Sequence, residues 1–151
     1  MENRGKEVTL LVLRIALGVI FMAHGAQKLF GWFDGPGLSG AAGFLGQMGF
    51  KPPLFWAFAL AASEFFGGLG VLVGLLTRLA ALSLLIGQIV AVIKVHAPNG
   101  FFLSNKGFEY NLSLIAISLA LIIVGAGAIS LDAGLKSWLA KRKATVEKTA
   151  V

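Results

Sequence analysis

The stretch AFALAASEFFGGLGVLVG (residues 57–74) holds seventeen apolar or small residues and one carboxylate, Glu64. A helix needs about 20 apolar residues to cross the hydrocarbon of a bilayer, and this stretch is the centre of such a run. Four runs of this kind lie at residues 8–30, 54–76, 79–97 and 110–131. The 151-residue chain is 57% hydrophobic and 13% charged, with a mean hydropathy of +0.84. Soluble domains carry about 25% charged residues. The expected fold is therefore all-α, an integral membrane four-helix bundle. It occupies one domain over 1–151 and ends in a basic tail at 132–151.

Charge gives the expected orientation. An even number of spans puts both termini on one side. Arg4, Lys6, Arg78, Lys136, Lys141, Arg142, Lys143 and Lys148 then share that side, against Lys28, Lys51, Lys94 and Lys106 on the other. Eight against four places both termini and the tight LLTRLA turn in the cytoplasm by the positive-inside rule. The net charge of +6 is thus explained by topology, and no nucleic-acid partner is expected. The chain is expected in the cytoplasmic membrane of a bacterium or archaeon, in contact with lipid. The basic end KSWLAKRKATVEK can sit on anionic headgroups or remain solvated. Arg14 interrupts the first apolar run and no small-x-small cleavage site follows, so that run reads as a retained helix and not a signal peptide. The absence of cysteine excludes disulfides and thiol redox chemistry within the chain.

The connections differ in length. The first outer loop, 31–53, contains DGPGLSGAAGFLGQMGFKPP, whose PG and DG pairs break a helix. Phe44, Leu45, Met48 and Phe50 form either a short apolar face lying in the interface or part of an irregular loop. The second outer loop is HAPNGFFLSNKGFEYN. Trp32, Trp56 and Tyr110 fall at outer helix ends, where amphipathic rings settle in a bilayer. Gly70 and Gly74 form a GxxxG pair that permits close helix approach.

Glu64 lies ten residues into its run, about 15 Å deep at 1.5 Å per residue. A charge there costs at least ~2.5–3.5 kcal/mol on insertion scales. It needs a bound proton or a partner, and either places it inside the bundle. In the first helix Arg14, His24, Gln27 and Lys28 fall within an arc of about 140° at helical periodicity. Arg14 approaches the midplane from the cytoplasmic side and is the expected partner of Glu64. Gln88 lies at mid-depth in the third run, with Lys94 and His96 near its outer end. Glu109 and Tyr110 open the fourth. Ordered by depth, these groups form a column in the outer half of the bundle. Structural readings stand beside the functional one: Lys28 and Lys94 snorkelling to the interface, His96 and Glu109 as loop-edge groups, and Arg14–Glu64 as a purely structural ion pair.

Few chemistries suit this set. Two histidines on different helices without H-x-x-x-H spacing make a poor metal site, and no metal is expected. Haem ligation needs matching depth, whereas His24 and His96 are offset by about 6–9 Å by helical rise. No nucleophile triad, phosphate loop or dinucleotide fingerprint is present. A membrane pocket of titratable groups suits a quinone headgroup, or proton-coupled movement of a small solute.

Three motifs, RIALGVIFMAHGAQKLFG, SEFFGGLGVLVGLLTR and HAPNGFFLSNKGFEYNL, together resemble the DoxX family of small four-helix membrane proteins, over residues 10–131. The family commonly shows Gly-Gly-Tyr-Glu-Tyr at the start of the last helix. Here the run is Lys106-Gly107-Phe108-Glu109-Tyr110, so one glycine and one tyrosine are replaced. The resemblance implies a redox setting near quinone, since the family is named for its association with archaeal quinol oxidase and thiosulfate:quinone oxidoreductase systems. It places the family's polar signature on Arg14, His24, Lys28, Glu64, His96 and Glu109.

The leading expectation is an oxidoreductase-associated membrane subunit with a quinone pocket. Glu64 and His24 exchange protons, Arg14 holds Glu64, and Gln27, Lys28, Gln88, Lys94, His96, Glu109 and Tyr110 shape the site. Electrons then come from a redox partner protein or a bound cofactor. Two other readings remain open. One is a small-solute permease, which four spans would build as a homo-oligomer. The other is a scaffold anchoring a redox complex through its basic tail.

Overall fold

The computed structural model describes residues 2–149. Six α-helices account for most of them: α1 Glu2–Phe30, α2 Gly37–Gln47, α3 Pro53–Val73, α4 Thr77–Ala91, α5 Glu109–Val124 and α6 Leu131–Thr149. No strand occurs among the described residues. Helix α4 continues through a π-turn, Val92–His96, and a 3₁₀ turn, Ala97–Asn99. Three segments, Arg4–Phe30, Pro53–Val73 and Thr77–Asn99, are long and apolar enough to cross a membrane, and α5 is a shorter apolar helix.

The molecule is apolar on the outside as well as within. Val8, Val12, Ile15 and Val19 on α1, Phe55, Phe58 and Phe66 on α3, Leu82 and Ile86 on α4, and Ile93 in the π-turn are all exposed. Monomeric soluble proteins do not leave apolar surface contiguous on this scale; here lipid is the solvent. Leu10, Leu17, Phe21, Val71, Leu84, Leu114 and Leu121 fill the interior.

Close approach of α1 and α3 depends on glycine. A Cβ on Gly18 would lie 2.7 Å from Leu72 Cβ, and one on Gly68 would lie 2.7 Å from the backbone nitrogen of Met22. The expected Gly70–Gly74 pair does not serve this purpose. Gly70 instead lets α4 come close, since a Cβ there would lie 3.2 Å from Ala80 Cβ, and Gly74 adopts φ +73° as the cap that ends α3. Leu75 N–H donates to Gly70 O there (2.8 Å), the usual closure around a left-handed glycine.

The expected spans need further revision. The first outer loop contains α2, whose Ala41 and Leu45 are buried against Ala57 of α3. The last apolar run stops at Val124, where Gly125 takes φ +90°. The basic tail forms α6. Its Asp132 carboxylate reaches back to α4, accepting from Leu76 N–H (2.8 Å) and Thr77 N–H (3.1 Å). Leu76 and Thr77 have no side-chain cap of their own, so a neighbouring element satisfies the donors that a helix start leaves free.

Candidate functional site

Helix α5 starts low. Its Asn111 Nδ2 donates to Gln88 Oε1 of α4 (2.7 Å), while α4 runs on to His96, eight residues further and about 12 Å by helical rise. The outer loop has to descend over that distance, from Lys106, whose carbonyl contacts His96 Nδ1 (2.8 Å), to Asn111. Helix α5 is thus absent from the end of the molecule beyond Gln88 and Asn111, and a cavity of about 430 Å³ lies there.

Five helices and the loop before α5 wall this cavity. Helix α1 contributes Phe21, His24 and Lys28, and α3 contributes Leu60 and Glu64. Helix α4 and its π-turn contribute Gly87, Gln88, Lys94, Val95 and His96. Residues 92–96 wind more widely than an α-helix, a feature frequent at functional sites. Leu103 and Gly107 close one side from the outer loop, with Tyr110 and Asn111 of α5 beside them. Phe44, Leu45 and Met48 of α2 and the following Phe50 cover the remaining side.

The central polar contact joins α1 to α3. Lys28 Nζ lies 2.5 Å from Glu64 Oε2, with side-chain exposures of 24% and 10%. Low dielectric strengthens the attraction, and each charge supplies what burial took from the other. The Gln88–Asn111 amide pair is buried at the α4–α5 boundary. Lys94 Nζ stands 6.0 Å from the centre of the Phe50 ring, within range of a cation–π contact. His24 is exposed along the same wall. Among the described residues no three of His, Cys, Asp and Glu converge as a metal site would need.

Seven of the residues singled out from sequence meet here: His24, Lys28, Glu64, Gln88, Lys94, His96 and Tyr110. Three do not. Arg14 is not the partner of Glu64. The residue is 2% exposed, and its guanidinium donates to four carbonyls: Val71 O (2.9 Å), Leu72 O (2.8 Å), Ala126 O (2.9 Å) and Ile129 O (2.6 Å). Two of these belong to the last turn of α3, where a helix end leaves carbonyls short of partners and Val71 O also accepts from Gly74 N–H (3.2 Å), and two to the link between α5 and α6. Gln27 reaches the carbonyl of Phe33 (3.4 Å), outside the cavity. Glu109 accepts from Leu103 N–H (2.5 Å) and holds the outer loop in shape.

Sequence reasoning passed over Asn111 and the α2 side chains as site residues. Asn111 carried a signal: an amide two residues past Glu109 in an apolar run. The α2 side chains carried a partial one: the spacing of Phe44, Leu45, Met48 and Phe50 offered a short apolar face, but the low helix propensity of a glycine-rich segment left an irregular loop equally open.

The family model that matches this sequence is DoxX, over residues 9–97. The chain belongs to the DoxX family. A relative in Bacillus subtilis described as "Putative oxidoreductase CatD" is 38% identical over 133 residues, covering 86% of this chain and 89% of the relative. An uncharacterised protein of Haemophilus influenzae is 33% identical, covering 92% of this chain and 95% of its own length. The inner membrane protein YqjF of Escherichia coli is 31% identical, covering 88% and 97%. No solved structure matches. This DoxX protein is thus a membrane protein by its apolar helices and by its relatives.

Proposed function

We propose that this DoxX protein is a membrane subunit of an oxidoreductase system and holds a quinone headgroup in the cavity beside Glu64. The observation that carries the reading is the pairing of an apolar-walled space of about 430 Å³ with ionisable groups on one wall. A quinone ring fits such a space, since it needs apolar faces and donors or acceptors at its two oxygens. Lys28 and His24 supply donors, Glu64 accepts, and the Gln88–Asn111 pair offers amide groups on another wall. The headgroup supplies two-electron, two-proton chemistry when bound. Glu64 and His24 move protons at its oxygens, and the ammonium of Lys28 holds the Glu64 carboxylate in position. Phe44, Met48 and Phe50 exclude water from one side. Electrons come from a partner protein, because the chain has no cysteine to form a thiol couple. The name of the Bacillus subtilis relative supports a redox setting.

Photo-crosslinking of a quinone analogue to purified protein tests the site. Wild type is expected to label, with Glu64→Gln and His24→Ala reduced several-fold. Equal labelling in all three variants removes the reading.

A further inference from the structure

Helix α6 takes no part in the cavity, yet its exposed side chains are ordered. Leu131, Leu135, Trp138 and Leu139 fall at i, i+4, i+7 and i+8, one arc of about 100° at helical periodicity. Each is about half exposed, from 50% for Leu139 to 55% for Trp138. Cations border this arc. At the same periodicity Lys136 and Lys143 fall on one side of it and Lys141 on the other, and all three are exposed. Arg142 falls on the arc itself, one turn beyond Trp138, where its guanidinium lies 5.4 Å from the Trp138 ring and closes the end of the apolar face. Against these four cations stands only Asp132 in residues 131–143, and its carboxylate is engaged at the start of α4.

The position of the helix selects the partner. Leu131 follows the last residue of α5, Val124, by seven positions. Arg14 ties the link between them to α3, and Asp132 N–H donates to Gly74 O (2.9 Å). The helix therefore starts at the end of a membrane-crossing bundle, where headgroups lie. An apolar arc with long cations on both flanks suits that layer, because the stems lie along the acyl boundary while the charges reach the phosphates.

We propose that α6 is an interfacial helix that lies on an anionic bilayer surface, its Leu131–Leu135–Trp138–Leu139 face toward the acyl chains. The occupant of this face is anionic lipid, not a second copy of the chain or a soluble protein.

The cysteine-free sequence allows a direct test with single nitroxide labels on the full chain. Leu135→Cys reports the apolar arc and Ala140→Cys the far side of the helix. Each labelled protein is reconstituted into phosphatidylcholine vesicles with or without phosphatidylglycerol. In the anionic vesicles the label at position 135 is expected to collide several-fold more with oxygen than with a water-soluble nickel chelate, and the label at 140 the reverse. That contrast is expected to shrink in phosphatidylcholine alone and on combining Lys136→Gln, Lys141→Gln and Lys143→Gln. Equal nickel access at both positions in anionic vesicles overturns the proposal in favour of a solvated helix. Dipolar broadening at 135 that disappears on dilution with unlabelled protein overturns it in favour of a second copy. A contrast of the same size in both lipid mixtures overturns the role of the cations.

Discussion

Lys28 and Glu64 are unequal partners. Lys28 sits two residues from the end of α1 and can withdraw its charge to the rim. Glu64 lies eleven residues past Pro53, about 16 Å along α3, and has no such retreat. Lys28→Met is therefore expected to cost on the order of 3 kcal/mol, by leaving a buried charge unpaired. Glu64→Gln is expected to cost less than about 1 kcal/mol, since the freed lysine is rehydrated at the interface. Thermal unfolding in micelles ranks the two, and the reverse order contradicts the pairing. Arg14 makes the opposite prediction about function. A lysine there has a single nitrogen and cannot span the four carbonyls now held by the guanidinium. Each abandoned buried acceptor costs about 1–3 kcal/mol. Arg14→Lys should then lower stability by at least ~2 kcal/mol while the folded fraction labels with quinone at the wild-type level. Loss of labelling without loss of stability would return Arg14 to the pocket. Charge and depth along the sequence identified both Arg14 and Glu64 as residues that need partners. They did not say which partners, because backbone carbonyls freed at a helix end leave no trace in composition.

The packing of α1 on α3 is set by backbone proximity, and so by particular glycines. Gly68→Ala forces a Cβ against the Met22 backbone and is expected to cost about 1–3 kcal/mol. A Cβ on Gly43 of α2 would meet nothing within 4 Å, so Gly43→Ala is expected to gain about 0.5–1 kcal/mol from helix propensity alone. Paired melting curves check the opposite signs. Helix α2 itself shows where reading by element stops. Glycines 37, 40, 43 and 46 argue against a helix by propensity, but burial of Ala41 and Leu45 on α3 outweighs them. The long apolar runs were legible because their signal extends over twenty residues. Their ends were less so: α5 stops at Gly125 and α3 at Gly74, at left-handed backbone positions that hydropathy does not register.

The whole molecule is a set of packed helices in which α5 begins beside Gln88 while α4 and its π-turn continue to His96, and the cavity lies in the space that this offset leaves. Helix α5 runs antiparallel to α4, from the Asn111–Gln88 contact to the Arg78 Nη2 contact with Ile123 O (3.2 Å). It brings the chain back to the end where α3 finishes, so that if α5 crosses the membrane both termini lie on the same side, the one the positive-inside rule assigns to the cytoplasm. An impermeant maleimide should then label Lys51→Cys and Asn105→Cys in intact cells, and Lys141→Cys only after lysis. Labelling of Lys141→Cys from outside would show that α5 does not cross. The membrane class, the apolar runs and the set of costly polar residues were all determined by the sequence alone, because hydropathy and charge are summed along the chain and do not depend on its path. Tertiary structure decided that Glu64 pairs with Lys28, that Arg14 binds carbonyls, and that seven of the polar groups share one chamber. Those outcomes depend on which helix end lies beside which, and on how far α5 falls short of the end of α4 and its π-turn.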